Sequence, residues 1–223
     1  MMRTFLAVVV SAVLCACGGA AVAPSPSPTP SPSPSATAAG VGVALVFNID
    51  PASKATVRVR EQLVRIPAPS DAVLTATGVS GSFTLNPDGT FAPTSKITVD
   101  LTTLTSDQSN RDSTIKRQPL EVTRFRDAEF VPTKATGVSL PLPASADLKF
   151  TLVGKMTIHG TTKEVTFAVV ANRTGSKLTA TATADPSWKF GDFGMSLPVS
   201  NSVLSVVDEI HLEFSLVANE AKS

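Results

Sequence analysis

Apolar and polar side chains alternate with a period of two residues over most of the chain from about Val43 onward. The stretches that follow this alternation are 43–49, 57–60, 82–85, 97–101, 148–158, 165–169, 178–183 and 210–216. Such alternation is typical of antiparallel β-strands that bury one face and expose the other. The pattern therefore predicts an all-β domain with about eight strands.

Short polar segments between these stretches carry the residues that turns require. Residues 86–89 read Asn-Pro-Asp-Gly, in which Pro sets φ, Asp caps the turn and Gly supplies a positive φ. Residues 159–162 and 172–175 separate neighbouring stretches at the spacing of β-hairpins. These turns predict that strands adjacent in the chain pair with each other.

A helical pattern is confined to residues 107–120. Asp107 or Ser109 is expected to cap this short helix, while Ile115 and Leu120 supply its apolar side and Pro119 limits its length. Antiparallel strands with one helical insertion are compatible with a closed barrel and with a sandwich of two sheets. A barrel of about eight strands has no free edges and can enclose one small ligand, but periodicity alone leaves both architectures open.

The N-terminus has the pattern of a lipoprotein export signal. Residues 5–16 form an apolar run behind Arg3, as long as a signal-peptide core and too short to span a bilayer. The run ends in Leu-Cys-Ala-Cys, which resembles a bacterial lipobox, where a small residue precedes the lipidated cysteine. We therefore predict a lipoprotein signal peptide and lipobox over residues 1–17, with Cys17 as the lipidation site. An ordinary signal peptide with incidental cysteines is the alternative.

A Pro/Ser-rich segment follows over residues 18–42, with proline at alternate positions from 24 to 34. Alternating proline blocks helix and sheet and favours extended polyproline II, which rises ~3.1 Å per residue. We interpret the segment as a disordered linker that holds the domain at 43–223 away from a membrane.

Charge and cysteine content narrow the function. With 19 basic and 18 acidic residues, the formal net charge is +1, so the sequence gives no sign of a nucleic-acid partner. Both cysteines lie within the first twenty residues, which excludes disulfides and cysteine-based metal sites from the domain. The two histidines, His159 and His211, are far apart and lack a nearby acidic cluster, so no metal site is predicted.

Several short segments together resemble the YceI-like family of polyisoprenoid-binding proteins. They lie at 47–53, 110–112, 128–130, 192–195 and 207–210, and the sharpest is Gly-Lys-Met-Thr-Ile-His-Gly-Thr-Thr-Lys-Glu-Val at 154–165. In order and spacing they cover about residues 45–218. The resemblance implies an extended antiparallel eight-stranded barrel of lipocalin-like shape, with an interior apolar tunnel for a long isoprenoid chain or a similar amphiphile. It brings no catalytic residues.

Candidate ligand contacts are the bulky apolar residues expected to point inward. They are Phe47, Phe83, Phe150, Met156, Phe167, Trp188, Phe190, Phe193 and Phe214. Alternation places them on the apolar face, where they either fill a solid core or, as the resemblance implies, line a tunnel. Arg111 and Asp112 are interpreted either as a polar pair at the barrel mouth that meets a ligand head group, or as a helix cap plus ion pair.

Catalysis is not predicted. Asp208, Glu209 and Glu213 fall in a turn or on the outer face of the last alternating stretch, and no partner for acid–base work is evident. His211 is expected to face solvent, and His159 is expected to be a turn residue whose ring bonds nearby backbone. The chain also lacks the Gly-x-Ser-x-Gly motif of a serine nucleophile.

The sequence thus favours a lipid-binding protein that is extracytoplasmic and anchored to a membrane through lipidated Cys17. The expected ligand is a polyisoprenoid or similar lipid, no cofactor is expected, and a homodimer is left open. The alternative function is a structural or adhesive β-domain whose interior is filled by side chains.

Overall fold

The computed structural model describes residues 42–221, which form ten β-segments, one α-helix and two short 3-10 turns. The β-segments are β1 (Leu45–Ile49), β2 (Lys54–Leu63), β3 (Ser70–Ala76), β4 (Val79–Leu85), β5 (Lys96–Asp100), β6 (Asp127–Thr136), β7 (Ser145–Ile158), β8 (Thr161–Thr174), β9 (Lys177–Ala184) and β10 (Val203–Glu220). Helix α1 spans Ser109–Arg117. The predicted signal peptide and lipobox, and all of the predicted linker except Gly42, lie outside the described residues.

The ten segments build a closed barrel of eight antiparallel strands, because two of the barrel strands are interrupted. Segments β1 and β2 lie one after the other along β10, with Phe47 opposite Glu220 and Ala55 opposite Phe214. Segments β4 and β3 lie in the same way along β1 and β2. Each later strand pairs with the next one in the chain, and β10 returns to β1 and β2 to close the sheet. The predicted all-β, eight-stranded barrel with one helical insertion is therefore confirmed.

The first interruption is held by a buried serine. Between β1 and β2 the chain makes a tight turn, in which the Asp50 carboxylate accepts a hydrogen bond from the Ala52 amide at 2.9 Å. The Ser53 hydroxyl then accepts from the Val217 amide and donates to the Val217 carbonyl, both at 3.0 Å, and this carbonyl also accepts from the Asp50 amide at 2.8 Å. This arrangement satisfies the backbone of β10 where the ladder is broken.

The assignment of individual strands differs from the sequence-based one. The stretches 43–49 and 57–60 belong to one barrel strand, whereas β3 and β6 were not predicted as strands. The inward positions of β3 are Ala72, Leu74 and Ala76, and β6 carries Pro132 after its inward Phe130. Alanine and proline weaken the contrast between the two faces, which is why alternation did not reveal these segments.

The turns predicted at 86–89 and 159–162 are present, whereas β8 continues to Thr174 and the turn predicted at 172–175 lies at 175–176. The predicted helix is shorter and capped differently. Gly89 has a φ of 82° and donates to the Asn86 carbonyl at 3.0 Å, while a two-residue turn at His159 and Gly160 joins β7 to β8. The N-cap of α1 is Gln108, with no side-chain cap bond, so neither Asp107 nor Ser109 has the expected capping role. The Asp107 carboxylate instead pairs with Arg111.

The core lies inside the barrel, and both ends of the barrel are covered. Helix α1 and the following Pro119 lie over one end, where Ile115 and Pro119 face the interior; Val138 and Leu142 from the β6–β7 loop face it at the other end. Residues 39–223 form one compact unit with its own core, so this unit can be studied separately. Among residues 42–221, no helix is both long and apolar enough to cross a membrane.

Candidate functional site

The core inside the barrel contains two cavities. The smaller cavity has a volume of about 70 Å³ and the larger cavity a volume of about 100 Å³. Both are lined by aliphatic, aromatic, methionine, tryptophan and proline residues alone. Since a single water needs only ~10–15 Å³ on this measure, each cavity has room for part of an apolar chain. A cavity lined in this way has no polar group to hold water.

Several inward-facing side chains are only half-buried, because they border these cavities. Phe83, Phe150 and Leu152 all line the smaller cavity and retain accessible surface, as do Val57 and Ile158 in the larger one. In a close-packed interior such positions are in contact on all sides. The inward face is thus incompletely filled, with apolar surface left over inside the barrel.

The predicted ligand contacts divide between the two cavities. Phe47, Phe83 and Phe150 line the smaller cavity. The larger cavity is lined by Met156, Trp188, Phe190, Phe193 and Phe214, among others. Phe167 lines neither cavity; its ring is fully buried and contacts Phe130, Trp188 and Phe214. Contact between these residues and a ligand remains a prediction.

A buried ion pair closes the α1 end of the interior. Glu61 is one inward position beyond Val59 of the larger cavity, and Arg111 of α1 donates to its carboxylate at 2.5 Å. Only 6% of the Glu61 side chain and 11% of the Arg111 side chain are exposed. Burial opposes the charge on Arg111, but its bonds to Glu61 and Asp107 outweigh this and raise the pKa of Arg111 above its ordinary value.

Arg111 and Asp112 do not form a pair with each other. Asp112 accepts hydrogen bonds from the amide of Ser106 at 2.8 Å and from its hydroxyl at 2.6 Å, which shapes the loop before α1. The ion pairs of Arg111 are with Glu61 and Asp107, partners that the sequence did not identify. A recess of mixed polarity lies beside Arg111 and shares Ile115 with the larger cavity; its polar lining residues include Glu61, Gln108, Asn110, Ser200 and Ser202.

An ion pair between buried Arg173 and half-buried Glu220 lies at the opposite end. Arg173 continues the inward face of β8 and donates to Glu220 at 2.5 Å and to the Leu142 carbonyl at 2.9 Å. Its guanidinium lies 5.7 Å from the ring centroid of Phe47, which lines the smaller cavity. Each end of the interior thus has a compensated charge pair, and the space between the pairs is apolar.

Sequence reasoning did not single out several residues of the site, among them Glu61, Phe91, Phe130 and Arg173. Glu61 continues the inward register of Val57 and Val59, and Arg173 extends the odd-numbered positions from Val165 into residues that were predicted to form a turn. Phe130 belongs to β6, a strand that alternation did not reveal. Phe91 lies outside any strand, and no sequence signal marked it.

The histidines and carboxylates have structural contacts. The His159 ring lies against that of Phe125 in a tilted arrangement, with centroids 4.4 Å apart, and its Nε2 lies 3.2 Å from the Glu121 carboxylate rather than on turn backbone as expected. His211 is exposed, as expected. Among the carboxylates, Asp208 accepts from the Phe190 amide and Glu209 from the Ser187 hydroxyl. Within residues 42–221, no group of three or more His, Cys, Asp or Glu side chains could hold a metal ion.

A closed eight-stranded barrel with an apolar, partly empty interior defines the class of lipocalin-like barrel proteins, and sequence comparison gives the family. A profile of the YceI-like domain matches residues 47–218, and the chain belongs to this family. A UPF0312 protein of Pseudomonas fluorescens is 40% identical over 99 residues; this match covers 40% of the chain and only 47% of that relative.

Solved structures agree with this fold. A polyisoprenoid binding domain from Saccharophagus degradans, implicated in plant cell wall breakdown, aligns with a TM-score of 0.58 at 12% identity, over 79% of this chain and 99% of that one. Burkholderia cenocepacia BcnA aligns with a TM-score of 0.57 at 19% identity, over 77% and 99%. The Campylobacter jejuni YCEI protein aligns with a TM-score of 0.53 at 15% identity, over 72% and 91%.

Proposed function

We propose that this protein binds an apolar, isoprenoid-like lipid inside its barrel and carries it at the extracytoplasmic face of a membrane, tethered through Cys17. The observation that carries the proposal is the pair of apolar cavities inside the closed barrel. The family supports it, because one structural relative is a polyisoprenoid binding domain. In this proposal the protein is a carrier and not an enzyme.

The proposed contacts follow from the lining of the cavities. Met156, Trp188, Phe193 and Phe214 would contact a tail in the larger cavity, whereas Phe47, Phe83 and Phe150 line the smaller one. Burial of each methylene contributes ~0.8 kcal/mol, so a long tail can bind tightly with few polar contacts. A concave apolar site with sparse polar groups is the usual form of a small-molecule site.

A polar head group would lie in the recess beside Arg111. This recess offers amide and hydroxyl groups, and Arg111 is already neutralised by Glu61 and Asp107. Asp112 would act through the loop that it holds, since its carboxylate bonds Ser106. An uncharged head group that accepts hydrogen bonds therefore suits this end better than a strongly charged one.

The test is a titration of residues 39–223 with a prenol of four isoprenoid units, followed by the emission of Trp188. Trp188 is the single tryptophan of the chain and lines the larger cavity, so its emission reports on that site. We expect saturable binding that Met156→Lys abolishes, because Met156 is fully buried at the cavity wall.

The matched control is Lys155→Gln, which changes the neighbouring position on the outer face of the same strand and should leave binding unchanged. Met156→Gln is a milder variant, for use if Met156→Lys does not fold. Absence of binding to the unmodified domain would support the alternative, a structural or adhesive domain with a filled core.

A further inference from the structure

On each strand that borders both cavities, the residues of one cavity end where the residues of the other begin, and this boundary lies at the middle of the barrel. On β7, Leu148 to Leu152 line the smaller cavity and Met156 and Ile158 line the larger, with Gly154 between them. On β10, Leu216 lines the smaller cavity and Phe214 the larger. No residue lines both cavities. A partition therefore crosses the middle of the barrel.

Phe167 forms the centre of this partition. Its ring is 1% exposed, and its centroid lies 5.2 Å from that of Phe130, 5.7 Å from Phe214 and 6.0 Å from Trp188. All three contacts are edge-to-face, a geometry that stabilises aromatic pairs beyond their burial. Phe130 borders the smaller cavity, while Phe214 and Trp188 border the larger, so Phe167 joins the walls of both.

The space that would let these rings move aside is occupied. A Cβ atom at Gly154 would lie 2.5 Å from Cε2 and Cζ of Phe130, so the Phe130 ring fills the place of the absent side chain. Phe130 in turn packs against Phe167. Displacement of Phe167 would therefore require its aromatic neighbours to move with it.

We propose that Phe167 is a specificity-determining residue that stops an apolar tail at mid-barrel and so limits the length of tail that the protein binds. The inference rests on the proposed function. A tail that enters beside Arg111 fills the larger cavity and ends at Phe167, and it does not continue into the smaller cavity.

This arrangement predicts a characteristic dependence of affinity on chain length. Each methylene that becomes buried raises the affinity roughly fourfold, so short tails gain strongly with each added unit. Once the tail reaches Phe167, further units remain outside the larger cavity and the affinity becomes constant.

The experiment measures the affinity of residues 39–223 for prenols of two to nine isoprenoid units, from Trp188 emission. For the unmodified domain we expect the affinity to rise and then to change less than about twofold per added unit. Phe167→Ala joins the cavities, and its affinity should keep rising, to at least ~10-fold above the plateau for the longest prenols. Phe167→Leu, which disturbs folding less, should shift the plateau in the same direction.

Phe125→Ala is the matched control. It removes the same ring atoms from a side chain that lines neither cavity and packs against His159, so the plateau should stay where it is. A plateau that is identical in Phe167→Ala and the unmodified domain, or an affinity that rises through the whole series in the unmodified domain, would overturn the inference while leaving lipid binding intact. Failure to bind any prenol would instead refute the proposed function.

Discussion

Removal of Arg111 tests whether the α1 end of the barrel is held by a buried charge pair. Arg111→Met keeps most of the apolar stem but leaves the Glu61 carboxylate without its guanidinium partner. Glu61 is 6% exposed, so its charge would face the end of an apolar cavity with little access to water. The double variant, which combines Glu61→Leu with Arg111→Met, removes both charges together.

The expected cost follows from this burial. Breaking a buried ion pair on one side costs about 3–5 kcal/mol, because an uncompensated charge remains. Since the Arg111 end is close to the surface recess, we expect about 3 kcal/mol for Arg111→Met. Replacing both partners with apolar residues is often neutral, so the double variant should lie within about 1 kcal/mol of the unmodified domain.

The assay is urea unfolding of residues 39–223 for both single variants and the double variant, which gives the coupling free energy. The control is Lys96→Met, because Lys96 and Glu129 form an ion pair of 2.8 Å with side chains 50% and 40% exposed. Such a surface pair contributes about 0–1 kcal/mol. The reasoning is refuted if Arg111→Met costs no more than Lys96→Met, or if the double variant is as unstable as Arg111→Met.

Three further predictions concern the anchor, the partition and pH. In detergent phase partitioning of cell extracts, Cys17→Ser should move the protein out of the detergent phase or leave unprocessed precursor; a variant that partitions as the unmodified chain does would contradict lipidation. Gly154→Ala should lower the free energy of unfolding by about 1–3 kcal/mol, because its Cβ would meet the Phe130 ring at 2.5 Å; an unchanged urea midpoint would contradict this. Hydrogen bonds from Thr102 lower the pKa of Asp100, so the stability they give is present above about pH 4 and lost as pH falls through that lower pKa. Asp100→Asn should therefore lose less stability between pH 6 and pH 3, and an identical loss would count against the prediction.

The strands and turns that have strong side-chain contrast could be predicted from the sequence. The long strands β7, β8 and β10 alternate over many residues, and the Asn-Pro-Asp-Gly turn has a residue suited to each position. Interrupted strands could not be predicted, because local periodicity does not show that β1 and β2 share the partner β10. Closure of the barrel is likewise a long-range pairing between the first and last strands.

The candidate site was only partly accessible from the sequence. The inward register identified Phe47, Met156 and Phe214, but periodicity does not show whether inward side chains fill the space between them. The partition at Phe167 depends on ring positions on three other segments, which no local pattern records. Buried Glu61 was overlooked because a charged residue is expected to face solvent, although its register is inward.

The central claim is that the barrel interior holds a lipid, and native mass spectrometry of residues 39–223 tests it most directly. Protein purified from a bacterial host and then exposed to a prenol of four isoprenoid units should carry one apolar molecule per chain, with the mass of a host lipid or of the prenol. Lys155→Gln should retain this added mass and Met156→Lys should lose it, because Met156 lines the larger cavity whereas Lys155 lies on the outer face of the strand. A domain that shows only its own mass, before and after addition of the prenol, would contradict the account.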